Sequence, residues 1–248
     1  MWNETPVQCL ILAGGLATRM RPLTETIPKA LISVAGRPFI DHQLGWLAEH
    51  GVTDVVLSVG YLGEALRDHV GDGAAFGLRV RTVDEGPNLR GTAGAVRLAL
   101  DEGALDERFL LTYGDSFLPI DFAGVFRAFA ASGAPALMTV FRNHGRWDAS
   151  NVIFDGRMVT LYDKQRRTRP AEDFAFIDYG LSALERRVVA EEVPAGAKAD
   201  LSDLFHALSL RGQLGGFESA ERFYEIGSPA GLEDFSQWLA HRAPQPQR

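Results

Sequence analysis

Val7-Gln8-Cys9-Leu10-Ile11-Leu12-Ala13-Gly14-Gly15-Leu16-Ala17-Thr18-Arg19-Met20-Arg21-Pro22-Leu23-Thr24 decides how this chain is read. Residues 7–13 are almost wholly apolar and predict a buried strand, which the Gly-Gly pair ends in a loop of small residues. Glycine lets backbone N–H groups close around phosphate oxygens, and Arg19 with the later Lys29 can neutralise the charge on them. Taken alone, the same residues also suit a tight strand-to-helix turn with two surface cations. The loop is not a P-loop, because none of the chain's lysines follows a glycine. Nor is it the dinucleotide fingerprint, since G-x-G-x-x-G is absent after the strand.

Outward from this loop, strands and helices alternate. Residues 38–50 place Ile40, Leu44 and Leu47 on one helical face, and Gly51 ends that helix. Strands are predicted over 54–59, 78–83, 109–113 and 136–141, and helices over 63–70, 92–100 and 121–131. Such alternation predicts a mostly parallel sheet covered on both faces. The remainder is richer in strand: 151–155 and 158–162 flank Gly156 as a hairpin, and 176–184 is a further strand. Residues 201–210 carry Leu201, Leu204, Phe205 and Leu208 on one helical face, and a last helix over 229–241 buries Leu232, Phe235 and Leu239. No repeat, low-complexity block or linker divides the chain. One α/β domain over 1–248 is expected, with halves at about 7–141 and 142–241 and a tail over 242–248.

The 248 residues are 46% hydrophobic and 23% charged, enough apolar material for a large core. A net charge of −7 argues against a general nucleic-acid or anionic-membrane surface, so neither partner is expected. Cys9, the single cysteine, lies in the apolar run and reads as a buried, inert thiol. His42, His50, His69, His144, His206 and His241 lack zinc-site spacing. With no secretory signal and no apolar stretch of about 20 residues, a soluble, cytoplasmic protein is expected. Of the 25 basic residues only Lys29, Lys164 and Lys198 are lysine.

Four further segments carry chemistry. Tyr113-Gly114-Asp115-Ser116 ends a predicted buried strand, at the edge where open α/β sheets place ligands, and a carboxylate there suits Mg²⁺. Leu89-Arg90-Gly91-Thr92-Ala93-Gly94-Ala95 opens a helix with Thr92 as a candidate cap. Leu161-Tyr162-Asp163-Lys164 follows the hairpin, and Arg222-Phe223-Tyr224-Glu225-Ile226-Gly227-Ser228-Pro229 precedes the last helix.

Residues 12–24, with Ile27-Pro28-Lys29-Ala30-Leu31, resemble the G-x-G-T-R-x-R-P-x-T…P-K signature of the sugar-phosphate nucleotidyltransferases, Ala17 standing where most members have glycine. The resemblance continues through Gly36-Arg37-Pro38, the Leu89–Ala95 loop (family L-G-T-G-G-A), the Gly114-Asp115 pair, Asp163-Lys164 (family E-K) and Glu225 (family aspartate). It implies a Rossmann-like, mostly parallel sheet of the nucleotide-diphospho-sugar transferase type, with a β-rich sugar-binding second half. It also implies nucleotide contacts from Leu12, Ala13, Gly14, Gly15, Thr18, Arg19, Lys29, Glu85, Gly91, Thr92 and Asp115. Sugar-phosphate contacts fall to Asn151, Asp163, Lys164, Tyr179 and Gly180, and Mg²⁺ to Asp115 and Glu225.

The reaction implied joins a nucleoside triphosphate to a sugar 1-phosphate and releases pyrophosphate, with Arg19, Lys29, Asp115 and Lys164 as the catalytic set. The segment 58–64, with Gly71-Asp72-Gly73, is most similar to heptose- and mannose-1-phosphate guanylyltransferases, with muramate-1-phosphate uridylyltransferases close behind. Three alternatives stay open: a catalytically silent nucleotide-sugar-binding module, a cytidylyltransferase acting on a non-sugar phosphate, and a glycosyltransferase. The last is disfavoured because Phe117 stands where D-x-D would need its second aspartate. The base, the acceptor and any homo-oligomer are not readable. Two of the three lysines fall at phosphate-handling positions, where a compact ammonium differs from a guanidinium fork.

Overall fold

Alternating burial along the first strands sets the layering of this computed structural model, which describes residues 6–15, 20, 22–165 and 174–242. In β1 (Gln8–Leu12), Cys9 and Ile11 enter one apolar core while Leu10 enters another, and all three are inaccessible to solvent. A strand buried on both faces needs helices above and below it. They come from α1 (Phe39–Glu49), α2 (Gly63–Val70) and α4 (Phe122–Ser132) on one face, and from α3 (Gly91–Asp101), α5 (Arg186–Glu192) and α6 (Leu201–Leu210) on the other. Ile40, Leu44 and Leu47 of α1 all enter the first of these cores, and Cys9 is a buried thiol whose pKa burial drives upward.

The central sheet is parallel where the alternation predicted it. β1 lies between β4 (Asp54–Val59) and β6 (Arg108–Tyr113), and β5 (Arg79–Asp84) adds beyond β4, all in parallel register. The second half turns the sheet mixed. β11 (Phe176–Glu185) inserts antiparallel between β6 and β8 (Ala136–Arg142), and β12 (Leu214–Ser219) extends β8 in parallel. The expected hairpin is β9 (Val152–Phe154) with β10 (Val159–Tyr162), joined to the sheet through Phe176. Parallel pairing is thus continuous from β5 through β4 and β1 to β6, and the antiparallel entry of β11 makes the rest of the sheet mixed.

Smaller elements complete the site edge. β2 (Ser33–Val34) and β3 (Arg37–Pro38) form a two-residue ribbon before α1. A second ribbon pairs β7 (Ser116–Phe117) with β13 (Tyr224–Glu225), and α7 (Pro229–Arg242) follows at once. Phe235 of α7 is fully buried against Phe39, Phe117 and Tyr224, with Trp46 and Trp238 closing the cluster. Leu232 and Leu239 are only partly buried. β12, α5 and both ribbons were not anticipated: the ribbons are two residues long, and Gly215-Gly216 interrupts the strand pattern of β12. No helix among the described residues is long and apolar enough to cross a membrane.

Phe235→Ala should cost about 3–5 kcal/mol of stability by leaving a cavity among five aromatic rings. Urea denaturation tests this; a loss under 1 kcal/mol would show that α7 is not anchored there.

Candidate active site

β1 has β4 on one side and β6 on the other, so the loops leaving its end and the end of β6 part in opposite directions. An open α/β sheet forms its ligand crevice at such a reversal. A cleft of about 370 Å³ lies there, lined by Leu12, Ala13, Gly14, Gly15, Lys29, Glu85, Leu89, Gly91, Thr92, Tyr113, Asp115 and Asp200 among others. Every nucleotide-side residue expected from the sequence that the structure describes lines it; Thr18 and Arg19 lie outside the described residues.

Its centre is an ion pair. Lys29 Nζ donates to Asp115 Oδ2 at 2.7 Å, and both side chains are largely buried. Lys29 begins a one-turn helix (Lys29–Leu31) after Pro28, and Asp115 stands in the turn between β6 and β7. β13 brings Glu225 to the same turn from 110 positions away: it pairs with Ser116 across β7–β13, and Ile226 N–H donates to Asp115 O at 2.9 Å, while the Glu225 side chain is exposed at the edge of the cleft and does not line it. The donor set of Asp115 and Glu225 is all oxygen. Among the described residues no group of three or more metal-ligating side chains converges.

Glu85 lines the cleft beside Leu89 and Gly91. Its carboxylate accepts from Arg90 N–H at 3.1 Å, and burial is the main cause that raises its pKa. It lies against Gly14, where a Cβ would sit 2.3 Å from Glu85 Oε1, so a side chain at that point would displace the Glu85 carboxylate. Gly91 is needed for a second reason: its φ is +72°, and a Cβ would lie 2.6 Å from Ala199 O. Residues 197–200 dock on this helix start. Ala93 N–H donates to Ala199 O, Thr92 N–H to Asp200 Oδ1 at 3.3 Å, and Leu201 N–H to Thr92 Oγ1 at 2.8 Å. Thr92 therefore ties α3 to α6 rather than capping its own helix, which already begins at Gly91.

On the acceptor side the placements diverge. Lys164 is exposed beside the buried Asp163, close enough for its charge to act on Asp178. Asn151 is nine-tenths buried and its Oδ1 accepts from Asp178 N–H at 3.0 Å, so that oxygen is committed to the sheet. Tyr179 lies in the core against Phe141 and Phe223, not on the cleft surface. Gly180 marks an irregularity in the β8–β11 register, its N–H donating to Asp178 Oδ1. Burial raises the pKa of Asp178, and burial followed by the charges of Asp178, Asp115, Asp200 and Glu225 raises that of Tyr113. Asp200, Asp178, Tyr113 and Gln43 were not assigned from the sequence. Asp200 reads there as the cap of α6, and Gln43 is detectable only as a polar residue beside the apolar stripe of α1.

The model of the nucleotidyl transferase family matches residues 8–149. The glucose-1-phosphate thymidylyltransferase of Streptomyces antibioticus is 34% identical over 174 residues, 69% of this chain and 48% of that protein. The N-acetylmuramate alpha-1-phosphate uridylyltransferase of Neisseria meningitidis is 38% identical over 129 residues, 52% and 54% respectively. The chain spans about half the length of these curated relatives. The structure of the inositol-1-phosphate CTP transferase from T. maritima superposes with a TM-score of 0.74 at 20% identity, covering 95% of each chain.

Glu85 gives a pH test. Its pKa is raised in the folded state, so between the ordinary glutamate value, about 4.3, and the raised one the unfolded chain holds fewer protons. Stability must then fall as pH rises through that window. Glu85→Gln should abolish this decline and become the more stable protein above it, as read by urea denaturation from pH 4 to 7. Parallel curves for the two proteins would contradict the burial of this carboxylate.

Proposed function

This chain belongs to the nucleotidyl transferase family, and we propose that it transfers a nucleoside monophosphate from a nucleoside triphosphate to a sugar 1-phosphate, releasing pyrophosphate. One observation carries the reading: Lys29 and Asp115 face each other at 2.7 Å in the crevice between β1 and β6, and β13 lays Glu225 beside them. A small-residue loop, one ammonium and the Asp115 carboxylate in a single cleft, with Glu225 on the ribbon at its edge, suit a reaction in which polyphosphate is gripped and cut.

An oxygen of the acceptor phosphate forms a bond to the α-phosphorus of the triphosphate, the α–β phosphoanhydride bond breaks in line, and pyrophosphate leaves with the electron pair. The acceptor phosphate is already a competent nucleophile, so no covalent intermediate with the protein is required. Positioning and charge stabilisation are what remain for the protein to supply. Gly14 and Gly15 bring backbone close to the phosphates, and Lys29 neutralises charge between them. Lys164 steers the acceptor phosphate. Arg19 holds the departing pyrophosphate. Mg²⁺, held by Asp115 and Glu225, would neutralise charge on the reacting phosphates.

The direct experiment is a grid of five nucleoside triphosphates against a panel of sugar 1-phosphates, inositol 1-phosphate and choline phosphate, read by pyrophosphate release. A sugar 1-phosphate should be the turning-over acceptor. Pyrophosphate released only with a non-sugar acceptor would replace the acceptor class, and none with any pair would leave a binding module. Lys29→Ala and Asp115→Ala should each lower turnover by about 10²–10³-fold, the loss expected from removing one preorganised electrostatic group, without loss of fold. Near-normal turnover in both would refute the proposed chemistry.

A further inference from the structure

Gln43 is 4% exposed on α1, next to the apolar stripe of Ile40, Leu44 and Leu47. Its Nε2 donates one hydrogen bond to Tyr113 O and another to Ser116 O, each at 2.8 Å. These carbonyls bracket Asp115. One amide group therefore spans both ends of the turn that carries it, using both of its N–H bonds. Its Oε1 is buried with no hydrogen-bond partner among the described residues. An unmatched buried acceptor is costly, and leucine or methionine there would avoid that cost. The amide is worth its burial only through what its two donors do. One helical turn on, the Trp46 ring rests against Phe117, just past the same turn.

We infer that Gln43 is a positioning residue that holds the Tyr113–Ser116 turn so that the Asp115 carboxylate stays directed at Lys29 and beside Glu225. Gly114 N–H is bound to Leu12 O and Asp115 O to Ile226 N–H, so the turn is tied to β1 and to β13. Tyr113 O and Ser116 O each accept from Gln43 Nε2. Without it, both carbonyls lose that donor and the turn gains freedom at the residue proposed to hold the cation. The inference rests on the proposed role of Asp115, but its test can be separated from that of turnover.

Gln43→Met keeps the volume and removes both donors. In the folded variant, amide hydrogen exchange over residues 113–117 and 224–226 should accelerate at least about tenfold while residues 54–59 exchange as in the wild type. Mn²⁺, titrated alone and followed by the paramagnetic resonance of the free ion, should half-saturate the variant at a concentration about five- to tenfold higher. If Gln43→Met does not fold, the same measurements on the near-isosteric Gln43→Glu decide the matter. Unchanged Mn²⁺ affinity, no Mn²⁺ binding by the wild type, or acceleration spread evenly over the chain would each overturn the inference. If both readouts move as expected but the wild type releases no pyrophosphate with any pair, the inference stands and the proposed function falls. If pyrophosphate is released and neither readout moves, the proposed function stands and the inference falls.

Discussion

The turn between β6 and β7 must present a carboxylate to a cleft while its own backbone is buried, and four other parts of the fold provide for it. β1 takes its Gly114 N–H, α1 takes the carbonyls of Tyr113 and Ser116, β13 takes the carbonyl of Asp115, and Lys29 takes the carboxylate itself. Buried backbone groups have to be paired somewhere, and here the partners come from segments spread over more than two hundred residues. The parallel sheet brings β1 and β6 together, the second half returns β13, and the aromatic cluster under α7 fixes that ribbon in place. The architecture can be understood as the support of this one turn.

Much of this was legible in local pattern. The apolar runs at 7–13 and 54–59 announce burial by composition alone, and Leu201–Leu210 shows its apolar face. What was not legible depends on distance. Glu225 sits in a two-residue strand whose pairing with β7 has no periodicity to read. Asp200 has the position of a helix cap, yet its side chain serves Thr92, 108 residues away. Tyr179 was placed at the acceptor by resemblance, whereas alternation along β11 turns it into the core and its neighbour Asp178 the other way. In each case the competing influence is tertiary packing, which a single sequence records only weakly.

The scarcity of lysine gains a physical meaning in the cleft. Arginine makes nearly all the exposed ion pairs of the described surface, including Arg127–Asp121, Arg186–Glu107 and Arg67–Glu64. Such pairs contribute little each, and a guanidinium serves them well. Lys29 instead occupies a narrow, largely buried place against Asp115, where a compact charge with three rotatable donors can address a carboxylate and phosphate oxygens together. The acidic overall balance is no obstacle, because the cation is held locally.

The central claim is that polyphosphate is handled at the crevice between β1 and β6. A crystal structure with the nucleoside triphosphate that turns over, captured as an analogue that cannot be cleaved between the α- and β-phosphorus, tests it most directly. Phosphate density is expected over Gly14 and Gly15, in contact with Lys29 Nζ and beside the Tyr113–Ser116 turn. Density for the phosphates elsewhere, with the Lys29–Asp115 pair untouched, would contradict it.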